Sequence, residues 1–191
     1  MKRFLHLALV FAFVTASMAA LGQSSVPSAQ ISNGQSSVAG QTSYDRIVRA
    51  VRHELVMIPQ LTVFDDLSFK VDGDTVTLLG EVSNPVIKDV AQASIKHIEG
   101  VEKINNQIEI LPASFNDDRI RRQVALAVFH EPRLSAYAIE PIPSIHIIVK
   151  NGHVDLVGVV RDQGDKNVAG IRANGVPGVF SVQNDLRIEK S

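Results

Sequence analysis

Apolar residues recur along this chain with two periods. Ile47, Val51, Leu55 and Ile58 fall at i, i+4, i+8 and i+11, the stripe of a helix that buries one face. Pro59 ends that helix. Further on, Val76, Leu78, Gly80 and Val82 alternate with Thr75, Thr77, Leu79 and Glu81, the period-two signature of a strand. With 67–71 and the turn residues Asp72, Gly73 and Asp74 this reads as a hairpin. Asn84-Pro85 opens a second helix as cap and first-turn proline. Ile87, Ala91, Ser94 and Ile98 mark its buried stripe, and Gly100 stands where a C-terminal glycine belongs. A last strand covers 103–111.

The same text is written again downstream. At an offset of 73, Arg46, Ile47, Arg49 and Val51 meet Arg119, Ile120, Arg122 and Val124. At an offset of 78, Val76, Leu78, Gly80 and Val82 meet Val154, Leu156, Gly158 and Val160, and Gly100-Val101 meets Gly178-Val179. A five-residue insertion in the second copy accounts for the change. The second helix stripe is Ile120, Val124 and Val128, ended by Pro132. The second hairpin pairs 145–150 with 153–160 around Asn151-Gly152, a strong type I′ turn signal. Expected N-caps are Ser43 or Asp45, and Asn116 or Asp117. The expected fold class is α+β, two tandem α-β-β-α-β domains over 44–111 and 117–190. Each has two helices packed on a small three-stranded mixed sheet. Gly80 and Gly158 lie inside strands, which suggests a bulge or the close approach of a helix. Gly164, Gly170 and Gly175 should loosen the last helix of the second copy. Copies this small should pack on each other to gain burial.

What precedes the repeats has another composition. Lys2 and Arg3 followed by an apolar run over 4–14 and small residues to Gly22 read as a signal peptide over 1–22. Cleavage is expected near Gly22, or after Ala19 or Ala20; an uncleaved anchor is the rival reading. Residues 23–43 carry no charge and hold seven Ser and four Gln. They should form a disordered tether. The product is then exported and periplasmic. With no Cys in the chain, disulfides, thiolate metal sites and N-terminal Cys lipidation are excluded.

The hairpins VDGDTVTLLGEV and NGHVDLVGVV, with IEGVEKINNQIEI and VPGVFSVQNDLRI, resemble the BON domain, named for bacterial osmotically inducible and nodulation proteins. The resemblance runs through both copies. It implies binding to phospholipid membranes, support of the envelope under osmotic stress, and no catalysis. The family's lipoprotein branch carries a lipidated N-terminal Cys that this chain lacks, which favours a soluble periplasmic form. A chaperone-like or scaffolding protein that binds envelope proteins is the alternative.

The residues offer no chemistry against that reading. His53, His97, His130, His146 and His153 share no matched positions and no i, i+4 metal spacing, and read as ordinary surface histidines. Asp65-Asp66 and Asp72/Asp74 sit where turns favour aspartate. No catalytic residue, metal or cofactor is expected. A formal net charge of −1 gives no case for nucleic acid. That average hides a split: 44–111 holds 7 basic and 11 acidic residues, 112–191 holds 10 and 9. The basic excess of the second copy gathers at Arg119, Arg121 and Arg122, with Arg133 beyond. Together with Tyr137 and Ile142 of the apolar insertion, these are the candidate contacts with an anionic phospholipid surface or an envelope protein. The insertion could equally cover a sheet edge or pack on the first copy. Gly80, Gly100, Gly158 and Gly178 are the candidate structural glycines.

Overall fold

The computed structural model describes residues 35–139 and 143–189. The first copy runs α1 (Gln35–Val56), β1 (Asp66–Asp72), β2 (Thr75–Val82), α2 (Pro85–Ile95), β3 (Lys103–Asn106) and β4 (Glu109–Ile110). The second runs α3 (Phe115–Phe129), a 3-10 turn over Ser135–Ala138, β5 (Ile145–Lys150), β6 (His153–Val160), α4 (Gln163–Asn174), β7 (Ser181–Asn184) and β8 (Arg187–Ile188). In each sheet the hairpin is antiparallel, and the last two short strands lie parallel beside its second strand. The expected two-helix, mixed-sheet α+β unit is thus present twice, with its last strand in two pieces. The break falls at Asn106 and Asn184. Their side-chain amides donate to the Lys88 and Lys166 carbonyls of the packed helix, at 2.9 and 2.7 Å.

The helical stripes are buried as their spacing predicts. Ile47, Val51, Leu55 and Ile58 join Val76, Leu78, Val82, Ile87 and Ala91 in the first core. Ile120, Val124 and Val128 join Val154, Leu156 and Val160 in the second. Three expectations are corrected. Helix α1 begins at Gln35, so the last nine residues of the expected tether are helical, and Ser43 and Asp45 lie inside the helix rather than at its cap. Once a buried stripe has nucleated a helix, each further turn costs little. Helix α3 is capped by Ser114, whose hydroxyl accepts from the Asp117 amide at 3.2 Å, not by Asn116 or Asp117. In α2 the deep positions are Ile87, Ala91 and Ile95; Ser94 and Ile98 are half-buried. The expected leader over 1–22 and residues 23–34 of the tether lie outside the described residues.

The glycines divide by cause. Asn151 and Gly152 both have positive φ, 54° and 79°, as a type I′ turn requires. Gly80 and Gly158 have φ of 117° and 130°, and what approaches them is not a helix. It is backbone: the Asp66 and Ser144 carbonyl oxygens, leading into the neighbouring strand. Gly170, inside α4, leaves room for the Asn184 amide, 2.8 Å from where a Cβ would stand.

The two copies share buried surface. Phe64 packs into the second core, and the Ile147 amide donates to the Val63 carbonyl at 2.7 Å. The helix-free faces of the sheets also meet. Ile148 points away from α3 and α4 yet is buried, outside either helix-side core. Beside it Lys150 pairs with Glu109 and lies 3.9 Å from Glu81 of the first copy. Burial pushes the Glu81 carboxyl above its ordinary range, with Glu109 adding repulsion and Lys150 opposing. Burial does the same to Asp66 and Asp155. An acid whose folded pKa is raised stabilises below its unfolded pKa, near 4, and that contribution is lost as pH rises through the folded value. Glu81→Gln is therefore expected to raise the urea midpoint at pH 7 by the equivalent of no more than about 0.5 kcal/mol, since Glu81 is only partly buried. The gain should vanish near pH 4, and equal effects at both pH values would refute this account.

Candidate functional site

Positions 115, 119, 122 and 126 of α3 follow i, i+4, i+7 and i+11 and share one face. That face is turned away from the core formed by Ile120, Val124 and Val128. It carries Phe115 and Leu126, 84% and 55% exposed, and the exposed Arg122. Arg119 is half-buried, its guanidinium donating to Asn116 Oδ1 at 2.8 Å and to Gln123 Oε1 at 3.2 Å. Helix α4 adds Ile171, 70% exposed, beside a groove of about 580 Å³ lined by Gln123, Leu126, Ala127, Ile171, Val176 and Pro177.

One end of this face is tied to the hairpin. The Asp117 carboxylate accepts from the Asn151 and Gly152 amides, both at 2.9 Å. The Phe180 amide donates to the Gly152 carbonyl at 2.8 Å, and its ring meets His153 edge-on with centroids 4.9 Å apart. Phe180 is 81% exposed. Gly178, with φ of 93°, lets the Arg119 guanidinium come within 2.9 Å of where a Cβ would stand. The result is an apolar, cationic surface across α3, α4 and the loop before β7.

The duplication supplies its own control. At the positions of Phe115, Leu126, Ile171 and Phe180 the first copy has Thr42, His53, Ala93 and Glu102. At those of Ala127 and Pro177 it has Glu54 and Glu99. Arg119 and Arg122 are matched by Arg46 and Arg49. Both copies thus present arginines, and the second surrounds them with apolar groups where the first has alanine and polar or acidic groups. Large exposed apolar patches mark interaction sites in soluble proteins. Charge patterning does not mark Phe115, Leu126, Ile171 and Phe180 as site residues; their polar or small counterparts in the first copy do.

Two of the expected contact residues are corrected by burial. Arg121 is 4% exposed: its guanidinium pairs with Asp118 and donates to the Val149 carbonyl at 2.7 Å. Tyr137 is also 4% exposed, with its hydroxyl donating to Asp165 Oδ2 at 2.6 Å and accepting from the Arg161 amide at 2.9 Å. Burial, then the Asp165 bond, pushes the Tyr137 hydroxyl pKa up. Neither residue offers its polar atoms to an outside surface. Arg133 is half-exposed but held by two carboxylates, Asp162 at 2.8 Å and Asp165 at 2.5 Å. The 3-10 turn of the insertion packs into its own copy, and Ile142 lies outside the described residues. Gly100 has φ of 91° and abuts Ile47.

Among the described residues, no group of His, Asp and Glu could hold a metal ion, and no helix is long and apolar enough to cross a membrane.

The chain is similar to known proteins of the bacterial envelope and stress response by their names. Osmotically-inducible protein Y of Escherichia coli is 30% identical over 125 residues, 64% of this chain and 61% of that protein. Outer membrane lipoprotein DolP of Haemophilus influenzae is 33% identical over 112 residues, 56% of this chain and 54% of that protein. The chain thus spans little more than half the length of these relatives. The C-terminal domain of CdsD, a structural protein of the type III secretion system of Chlamydia trachomatis, covers 75% of this chain and 98% of its own at 11% identity. The TM-score is 0.26. The BON domain family model matches residues 44–112 and again 116–190, and on both stretches this chain belongs to the BON domain family.

Proposed function

We propose that this chain is a non-catalytic binding module of the bacterial envelope, exported to the periplasm, whose second copy rests on anionic phospholipid through the outer face of α3 and α4. The observation that carries the reading is the asymmetry between equivalent faces. Phe115, Leu126, Ile171 and Phe180 stand around arginines where the first copy has Thr42, His53, Ala93 and Glu102. Apolar side chains beside cations suit the boundary between head groups and acyl chains. Each basic residue near an anionic surface contributes about 1 kcal/mol, so Arg119 and Arg122 would supply the electrostatic part. A relative that is named an outer membrane lipoprotein supports the reading.

Vesicle flotation of residues 23–191, which omit the apolar leader, tests this. Association is expected with vesicles containing phosphatidylglycerol at low salt, weakening as salt rises and absent with phosphatidylcholine alone. The double substitution Leu126→Glu and Ile171→Glu should reduce the bound fraction at least tenfold. Both side chains are exposed, so the thermal midpoint should hardly move. If the chain stays with the soluble fraction on anionic vesicles at low salt, the reading fails.

A further inference from the structure

The two copies close their outer sheet edges differently. In the second, the turn at Asn151-Gly152 makes Lys150 and His153 a hydrogen-bonded pair, so the backbone groups of Ile145, Ile147 and Val149 point away from β6. Those groups are used: the Ile147 amide donates to Val63, and the Val149 carbonyl accepts from the Arg121 guanidinium. Asp117 closes the turn itself.

In the first copy the register is the same, with Asp72 and Thr75 as the last pair. The backbone groups of Leu67, Phe69 and Val71 therefore point outward. Among the described residues nothing pairs with them. The positions of Asp117 and Arg121 are taken by Tyr44 and Val48, which have no charge with which to reach the strand. What Arg121 fills in one copy is a cleft of about 950 Å³ in the other, between α1 and the edge of β1. Its floor is apolar, with Val48, Leu55 and Phe69. Its charged lining is Arg52, Lys70 and Arg187, with no carboxylate.

We propose that this cleft is a docking site for an extended, acidic polypeptide segment, which adds a strand to β1. An unpaired strand edge offers donors and acceptors in alternation, and an extended backbone answers both. A strand places alternate side chains on opposite sides, so apolar residues of the segment would enter the cleft while the carboxylates between them turn to the face that carries Lys70. A lipid head group has no repeating donors for the carbonyls.

The probe is a fluorescein-labelled octapeptide alternating valine with aspartate or glutamate, titrated with the full chain and read by fluorescence anisotropy. Saturable binding is expected, at least tenfold tighter than for the same peptide with lysine in place of the acids or with proline at every second position. Val48→Arg, which restores the arrangement of the second copy, and Lys70→Glu should each weaken it at least tenfold. Leu126→Glu, on the lipid-facing surface, should not. Hydrogen exchange at the Phe69 and Val71 amides should slow when the peptide is bound. The proposal is overturned if the acidic peptide does not bind, if Val48→Arg and Lys70→Glu both bind it like the parent chain, or if the basic peptide binds equally. It is also overturned if phosphatidylglycerol vesicles displace the peptide from the Leu126→Glu variant, since the cleft would then be a lipid site.

Discussion

Replacing Gly158 with alanine is expected to lower stability by about 3–5 kcal/mol, the sum of backbone strain and overpacking. The glycine sits inside β6 with φ of 130°, a conformation that side-chain-bearing residues rarely adopt. An added Cβ would stand 2.0 Å from the Ser144 carbonyl oxygen, and backbone cannot swing aside as a flexible side chain can. The carbonyl is held where it is because it accepts from the Val159 amide at 2.9 Å. Gly80 repeats the arrangement, with the Asp66 oxygen 2.1 Å away, so Gly80→Ala should cost a similar amount. Gly73→Ala is the control. Its φ is also positive, at 61°, but nothing lies within 4 Å of the new atom, and about 1 kcal/mol is expected. Urea unfolding of the three variants measures the difference. Similar midpoints for Gly158→Ala and Gly73→Ala would mean that turn geometry, not the crossing of two backbones, is what the strand glycines serve.

Much of this was legible in the residues because two periods and one repeat carry it. Ile47, Val51, Leu55 and Ile58 announce a helix by spacing alone, and all four are buried. The hairpins announce themselves by alternation and by Asn-Gly. Arg121 was less legible. Read as one of three neighbouring arginines it belongs to a solvated stripe, yet it lies a single step around the helix from buried Ile120. Its counterpart Val48 was the available signal that the position faces the protein. The helix-free faces are illegible for another reason. Thr75, Thr77, Leu79 and Glu81 have the composition of an ordinary half-wet strand surface. Only the partner sheet, contributing Ile148 and Lys150, makes it a seam. Burial between copies leaves no periodic mark, because each copy must also look acceptable alone.

The insertion of the second copy is expected to owe its position to one carboxylate. Asp165 is fully buried in the first turn of α4, where the first copy has Ile87. It accepts from Arg133, from the Tyr137 hydroxyl and, at 3.3 Å, from Arg161. Arg133 precedes the 3-10 turn, Tyr137 lies within it, and Arg161 follows the hairpin, so three segments converge on one group. Asp165→Ala removes the acceptor and leaves a buried hydroxyl and two guanidiniums without it. Breaking a buried ion pair by deleting one partner costs about 3–5 kcal/mol. The lower end applies here, near 3 kcal/mol, because both guanidiniums are about half exposed and can turn to water. Tyr137→Phe should cost about 1.5–3 kcal/mol by itself, since it removes the bond to the charged Asp165 and the one accepted from the Arg161 amide. The pair should fall short of additivity by about 1 kcal/mol, since the Tyr137 hydroxyl can be lost as a partner of Asp165 only once. Chemical denaturation of the two single variants and the double variant reads this directly. Full additivity would mean that the hydroxyl and the carboxylate act separately, and that apolar packing of the Tyr137 ring, rather than Asp165, holds the insertion against the sheet.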